Sequence, residues 1–108
     1  MTINEYQEKA HTFSRYEDEL YPVLGLAEEA GEVAGKVAKY LRKTGRLNWD
    51  CNPELAAAVK KELGDVCWMV AEVATVYGFK LEDVMRENID KLTDRKARGV
   101  IVGEGDNR

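Results

Sequence analysis

The chain has 108 residues, which is the length of one small domain. Hydrophobic residues make up 44% and charged residues 33%, and this composition excludes an intrinsically disordered chain. The formal net charge of -4 at pH 7 argues against a protein that binds a nucleic acid polymer through a basic surface.

The sequence shows no signal for export or membrane insertion. Its N-terminus, MTINEYQEKA, lacks a basic region followed by an apolar core, and apolar runs such as 66–71 are far shorter than the ~20 residues of a membrane helix. Two cysteines, Cys51 and Cys67, form neither a disulfide framework nor a zinc-ligand pattern. We therefore expect a cytoplasmic protein without a membrane partner.

The first half of the chain predicts two helices. The first is expected over Ile3–Tyr16, because Thr2 and Glu5 have the spacing of a capping box. The second is expected over Pro22–Lys43, with the proline in its first turn and Gly45 as its stop. Its apolar residues recur at steps of three and four, as in a buried helix face: Leu26, Ala30, Val33, Val37 and Leu41.

The second half predicts a loop, two more helices and an irregular tail. The loop covers Arg46–Cys51, and the third helix begins at Asn52–Pro53, where asparagine is the cap, and ends at Gly78. The fourth helix is expected over Leu81–Arg98, and residues 99–108 have no helical period. No segment alternates like a strand, so the fold class is all-α in a single domain, 1–108. The expected inward residues are Leu55, Val59, Leu63, Val66, Val70, Val73 and Tyr77 on the third helix and Leu81, Val84, Met85, Ile89 and Leu92 on the fourth.

Acidic residues lie at the edges of the two long apolar stripes. At 100° per residue, the acids of the second and third helices fall beside the buried face and not opposite it. Antiparallel packing of these helices would bring both acidic edges into one cleft. Converging carboxylates repel one another, and Mg²⁺ or Mn²⁺ offsets this because hard divalent ions prefer oxygen ligands. The candidate metal ligands are Glu29, Glu32, Glu62 and Asp65, and Glu28 is a fifth carboxylate able to bind a second metal or orient a water.

Three other interpretations of these residues stay open. The acids could form a solvated helix face, in which Glu32 and Lys36 make an ordinary i,i+4 ion pair. Glu8 and His11 form an E-x-x-H pair, a signature of carboxylate-bridged di-iron bundles. A non-catalytic helical dimerisation module would explain the apolar stripes but not the acids beside them.

The segments LGLAEEAGEVAGKV, KKELGDVCWMVAEVA and NIDKLTDRKARG resemble the MazG-type nucleotide pyrophosphohydrolases, part of an all-α superfamily of nucleoside triphosphate pyrophosphatases. The resemblance covers about residues 3–108 and rests on E-E-x-x-E followed by E-x-x-D. It implies a four-helix-bundle-like fold completed by assembly into dimers or tetramers. It also implies Mg²⁺-dependent hydrolysis of (deoxy)nucleoside triphosphates to monophosphate and pyrophosphate, with water activated by Glu28 or Glu29.

The resemblance also assigns substrate-binding residues. The pattern N-x-x-K-L-x-x-R is similar to the family's phosphate-binding stretch and makes Lys91 and Arg95 the expected phosphate ligands. Both could instead form a solvated basic helix end that complements the helix dipole. The candidate base-binding residues rest on a separate argument, since a base pocket needs a stacking surface and a few polar groups: they are Trp49, Met69, Asn88 and His11. Three of them also have a structural alternative. Trp49 could cover a helix end, Met69 could belong to a dimer core, and His11 could be an ordinary surface histidine.

Overall fold

The computed structural model describes residues 1–45 and 52–108, and within these ranges it is all-helical without a strand. The helices are α1 (Ile3–His11), α2 (Tyr21–Thr44), α3 (Pro53–Val76) and α4 (Leu81–Ala97). The predicted all-α fold class is confirmed. None of these four helices combines the length and hydropathy needed to cross a lipid bilayer.

Helix α1 is shorter than its periodicity predicted. It opens with the expected capping box but ends at His11, five residues before the predicted end at Tyr16. The amides of residues 12, 13 and 14 bond carbonyls three residues back, so the last turn tightens and the helix stops. The chain then leaves the helix axis, which allows the Tyr16 hydroxyl to reach Glu72 on α3.

Helices α2 and α3 form a long antiparallel pair with the predicted ends. Asn52 caps α3 by accepting a hydrogen bond from the Leu55 amide at 2.7 Å. Gly78 follows α3 with a φ of 74°, a left-handed conformation that glycine adopts without steric cost. The helices approach closely at Gly25, where an added Cβ would lie 2.7 Å from Met69 Sδ.

A single glutamine ties α1 to the connection between α3 and α4. The Gln7 side-chain amide donates to the carbonyl of Phe79 and to the hydroxyl of Thr75, at 2.9 and 3.2 Å. Its side-chain oxygen accepts from the Leu81 amide at 2.7 Å, which satisfies a donor at the start of α4. Helix α4 thereby packs against α1 and α3.

The protomer is open, and its buried core is small. Its radius of gyration is 16.9 Å, whereas a compact chain of this length has about 13 Å. The prediction that the apolar stripe of α4 faces inward is wrong beyond Leu81, because α4 contacts the rest of the chain along one side only. Ile89 is 61% exposed, and on α3 Leu63 and Tyr77 are also exposed. The other exposed members of the α4 stripe are Val84, Met85 and Leu92.

Candidate functional site

Three acidic side chains from α2 and α3 meet in one group. The antiparallel pairing sets Glu29 of α2 beside Glu62 and Asp65 of α3, and one carboxylate oxygen from each lies within 4.8 Å of the others. Within residues 1–45 and 52–108, it is the one group of at least three His, Cys, Asp or Glu side chains whose ligand atoms lie close enough together to hold a metal ion. Three carboxylate oxygens are a donor set that suits Mg²⁺ or Mn²⁺, which keep further positions for water or phosphate.

Like charges dominate the surroundings of Glu29 within the group. Partial burial raises the pKa of Glu29, and the negative charges of Asp65 and Glu28 raise it further, followed by those of Glu62 and Glu32. A carboxylate surrounded by like charges holds its proton more tightly. A divalent cation among these oxygens would reverse that effect, so the residues present fit a metal site.

The two remaining acids of the E-E-x-x-E motif lie near the group but outside it. Glu28 and Glu32 are exposed on α2 and act on Glu29 through their charge. The alternative in which Glu32 pairs with Lys36 is not what the described residues show, because Lys36 Nζ lies 3.5 Å from Glu62 Oε1 instead. Lys36 spans the two helices because antiparallel packing sets it opposite Glu62, where it relieves part of the repulsion.

A cavity of about 520 Å³ opens beside the acidic group. Glu29 and the buried Met69 contribute to its wall, so Met69 lies next to the candidate metal ligands. The connection between α1 and α2 forms the opposite wall, where the rings of Tyr16 and Tyr21 stack with centroids 6.1 Å apart. Its volume is in the range of small-molecule sites. The other lining residues are Phe13, Ser14, Arg15, Glu17, Asp18 and Trp68.

A buried glutamate on α3 anchors this connection. Glu72 has no exposed surface, and its Oε2 lies 3.0 Å from His11 Nδ1 and accepts from the Tyr16 hydroxyl at 2.7 Å. Burial alone would raise the pKa of Glu72, but the nearby Ser14 hydroxyl and the bonds from His11 and Tyr16 outweigh it and lower that pKa. Burial and the bond to Glu72 raise the pKa of Tyr16 to about 12.

Sequence reasoning missed Glu72. Its signal was an acid inside the apolar run VCWMVAEVATV, where a carboxylate without donors would be costly. The donors come from residues about 60 positions away, so only the fold reveals them. The same contact gives His11 a structural partner: its side chain is half exposed, and its Nδ1 contacts the Glu72 carboxylate. Across the two described ranges, Glu8 and His11 join no metal-ligand group, so the di-iron interpretation gains no support.

The remaining predicted substrate residues lie apart from the acids. Lys91 and the buried Arg95 on α4 both form ion pairs with Asp106 in the tail, and Asn88 is exposed on the same helix. Over the described parts of the chain, no ion pair joins Lys91 or Arg95 to the acidic group. Trp49 and the predicted loop Arg46–Cys51 lie outside the described residues.

The segment that holds these acids matches a known protein family. The family profile of the MazG nucleotide pyrophosphohydrolase domain matches residues 17–100, which include all five candidate carboxylates. The chain belongs to the MazG family. The resemblance drawn from the E-E-x-x-E and E-x-x-D motifs is thereby confirmed.

Two relatives of this MazG-family chain extend the comparison. Gene 37 protein of Mycobacterium phage L5 is 47% identical over 89 residues, covering 82% of this chain and 75% of that protein. The uncharacterized protein YvdC of Bacillus subtilis strain 168 is 43% identical over 74 residues, covering 65% of this chain and 68% of that protein. No solved structure matches the chain.

Proposed function

We propose that this MazG-family protein hydrolyses (deoxy)nucleoside triphosphates to the monophosphate and pyrophosphate in a Mg²⁺-dependent reaction. The observation that carries the proposal is the convergence of Glu29, Glu62 and Asp65 in a chain that matches a nucleotide pyrophosphohydrolase family. Structural packing alone gives no reason to gather like charges beside a cavity, since they disfavour one another.

Glu29, Glu62 and Asp65 would hold the metal, and Glu32 is a further candidate ligand. When bound there, Mg²⁺, or Mn²⁺ in its place, would neutralise phosphate oxygens and help to deprotonate water. Water then attacks the α-phosphorus, the bond from that phosphorus to the bridging oxygen breaks, and pyrophosphate leaves with the bonding electrons. Glu28 or Glu29 would accept the proton from the attacking water.

The nucleoside would occupy the 520 Å³ cavity beside Glu29. Met69 and the connection between α1 and α2 form its walls. His11 does not line the cavity, but it contacts Glu72, which also binds Tyr16 of that connection. Lys91 and Arg95 are the proposed phosphate ligands, because a guanidinium and an ammonium supply the donors that phosphate oxygens accept. Trp49 and Asn88 stay in the proposed base-binding set, although Asn88 lies on α4 and does not line this cavity.

A panel of canonical and modified (deoxy)nucleoside triphosphates with Mg²⁺ tests the reaction. We expect pyrophosphate as the first product, with activity removed by a chelator and restored by Mg²⁺ or Mn²⁺. Orthophosphate as the first product would move the attack to the terminal phosphorus and contradict the mechanism. No hydrolysis across the panel would leave the helical dimerisation module as the better interpretation.

We also propose that the protein is a homo-oligomer, at least a dimer, in which a second copy covers the exposed stripe of α4. Ile89, Met85 and Leu92 lie on one side of that helix and remain exposed in the protomer. A face of this kind on a small, open chain marks an interface. The partner classes that we do not expect are nucleic acid polymers and membranes.

Ile89→Asp is therefore expected to shift the protein toward smaller species in sedimentation velocity at micromolar concentration, since it introduces a charge into that face. Arg86→Gln is the matched control: it changes the net charge by the same amount, and Arg86 is exposed and, among residues 1–45 and 52–108, forms an ion pair with Glu82 alone. A monomeric parent protein, or an equal effect of both variants, would contradict the proposed interface.

A further inference from the structure

The tail of the chain is folded back onto α4 by its last arginine. The Arg108 guanidinium donates to the carbonyls of Val100, Ile101 and Gly105, the first two at 3.1 and 3.2 Å. Arg98, directly after α4, donates in turn to the main-chain oxygen of Arg108 at 2.6 Å. Residues 99–108 therefore form a closed loop although they contain neither helix nor strand.

This loop presents Asp106 to the two cations of the N-x-x-K-L-x-x-R pattern. Asp106 Oδ1 lies 2.9 Å from Lys91 Nζ and 3.0 Å from Arg95 Nη2, and Arg95 also donates to the main-chain oxygen of Asp106. Under this loop Arg95 is only 4% exposed, while the Asp106 side chain is 78% exposed. Asp106 lies beyond the part of the chain that matches the family profile, residues 17–100.

We propose that Asp106 is a built-in occupant of the phosphate-binding cations, which a phosphate group of the substrate must displace. The inference rests on the proposed function in one respect, namely that Lys91 and Arg95 bind substrate phosphates. A carboxylate and a phosphate compete for the same donors of a guanidinium and an ammonium. Because Arg95 is covered while Asp106 is in place, a phosphate reaches Arg95 only after the tail has moved.

The strengths of the two interactions favour such an exchange. Asp106 carries a single charge on a side chain that is 78% exposed, and its pair with the partly exposed Lys91 is of the kind that contributes little. A polyphosphate brings several charges and more acceptor oxygens to the same donors. The tail thus keeps both cations paired in the empty protein, weakens binding of singly charged anions, and opens when a polyphosphate arrives.

The test is the affinity of the 108-residue chain for inorganic pyrophosphate with Mg²⁺, measured by titration calorimetry. We expect Asp106→Asn to bind pyrophosphate about fivefold more tightly than the parent protein, because the competing carboxylate is gone. Glu104→Gln is the matched control. It removes the same charge from the same loop, and Glu104 makes no ion pair within the described residues, so we expect less than a twofold change.

Three results would overturn this proposal. Weaker pyrophosphate binding by Asp106→Asn would show that Asp106 positions the cations for the substrate. Equal effects of Asp106→Asn and Glu104→Gln would show that the change in affinity comes from net charge alone. Unchanged pyrophosphate affinity in Arg95→Gln would show that these cations are not the phosphate site. Amide hydrogen exchange adds a second readout, since residues 99–108 should exchange faster with pyrophosphate bound.

The outcome is separable from that of the proposed reaction. Pyrophosphate binding requires no hydrolysis, so tighter binding by Asp106→Asn without turnover of any nucleotide would support the role of Asp106 and contradict the reaction. Nucleotide turnover together with unchanged pyrophosphate affinity in Asp106→Asn would support the reaction and contradict the role of Asp106.

Discussion

Asp65→Asn is expected to lower the rate of pyrophosphate release by about 10²–10³-fold and to leave the helical content unchanged. Asp65 is exposed and belongs to the acidic group, so replacing it should disturb the proposed metal site and leave the internal packing intact. The substitution keeps the shape of the side chain but removes one charged ligand. The measurements are pyrophosphate release at saturating Mg²⁺ and far-ultraviolet circular dichroism.

Asp90→Asn on α4 is the control, since Asp90 is exposed and lies outside the acidic group. It should retain parent activity. Asp65→Asn should also reduce the rise in melting temperature that Mg²⁺ produces, because ligand binding stabilises only a chain that can bind. Without metal the same variant should be no less stable than the parent, since it relieves the repulsion that raises the pKa of Glu29. Parent-like turnover by Asp65→Asn would remove this residue from the site.

Glu72→Ala is expected to lower the free energy of unfolding by about 3 kcal/mol, measured by urea denaturation. The fully buried carboxylate accepts bonds from His11 and Tyr16, and alanine would remove the acceptor of both bonds and leave a cavity in its place. Glu72→Gln keeps an oxygen for them and should cost about 1 kcal/mol. Glu8→Ala on the exposed side of α1 should change stability little. Equal losses in Glu72→Ala and Glu8→Ala would contradict the anchoring role.

The acid dependence of stability gives an independent check on Glu72. Its pKa is lowered in the folded chain from the ordinary value of 4.5, so folding favours the ionised form. That contribution is complete above pH 4.5 and is lost as the pH falls through the lower, folded-state pKa. Glu72→Gln should therefore flatten the decline in stability below pH 4.5 relative to the parent, and Glu8→Gln should leave the decline as it is.

The fold and the acidic group were predictable because both depend on local pattern. Apolar steps of three and four set the helices, and caps such as Asn52 and Gly45 set their ends within a residue or two. Acids three residues apart share a helix edge, and one antiparallel pairing is then enough to bring Glu29 to Glu62 and Asp65.

What the sequence did not reveal depends on distant contacts. Glu72 meets donors from the other side of the fold, and those contacts also end α1 before Tyr16. The engagement of Arg95 by Asp106 involves a tail without periodicity. The apolar stripe of α4 was recognised from its helical spacing. That spacing does not tell whether the rest of the same chain or another molecule covers the stripe.

The candidate ligands come from two consecutive helices, and this has a consequence for folding. A helical hairpin has low contact order, so α2 and α3 can pair before the more distant contacts of α1 form. The acidic centre would then be assembled by one of the earliest tertiary contacts, against the repulsion of its own side chains. A divalent ion present at that stage should act as a folding cofactor and speed closure of the hairpin as well as serve the finished site.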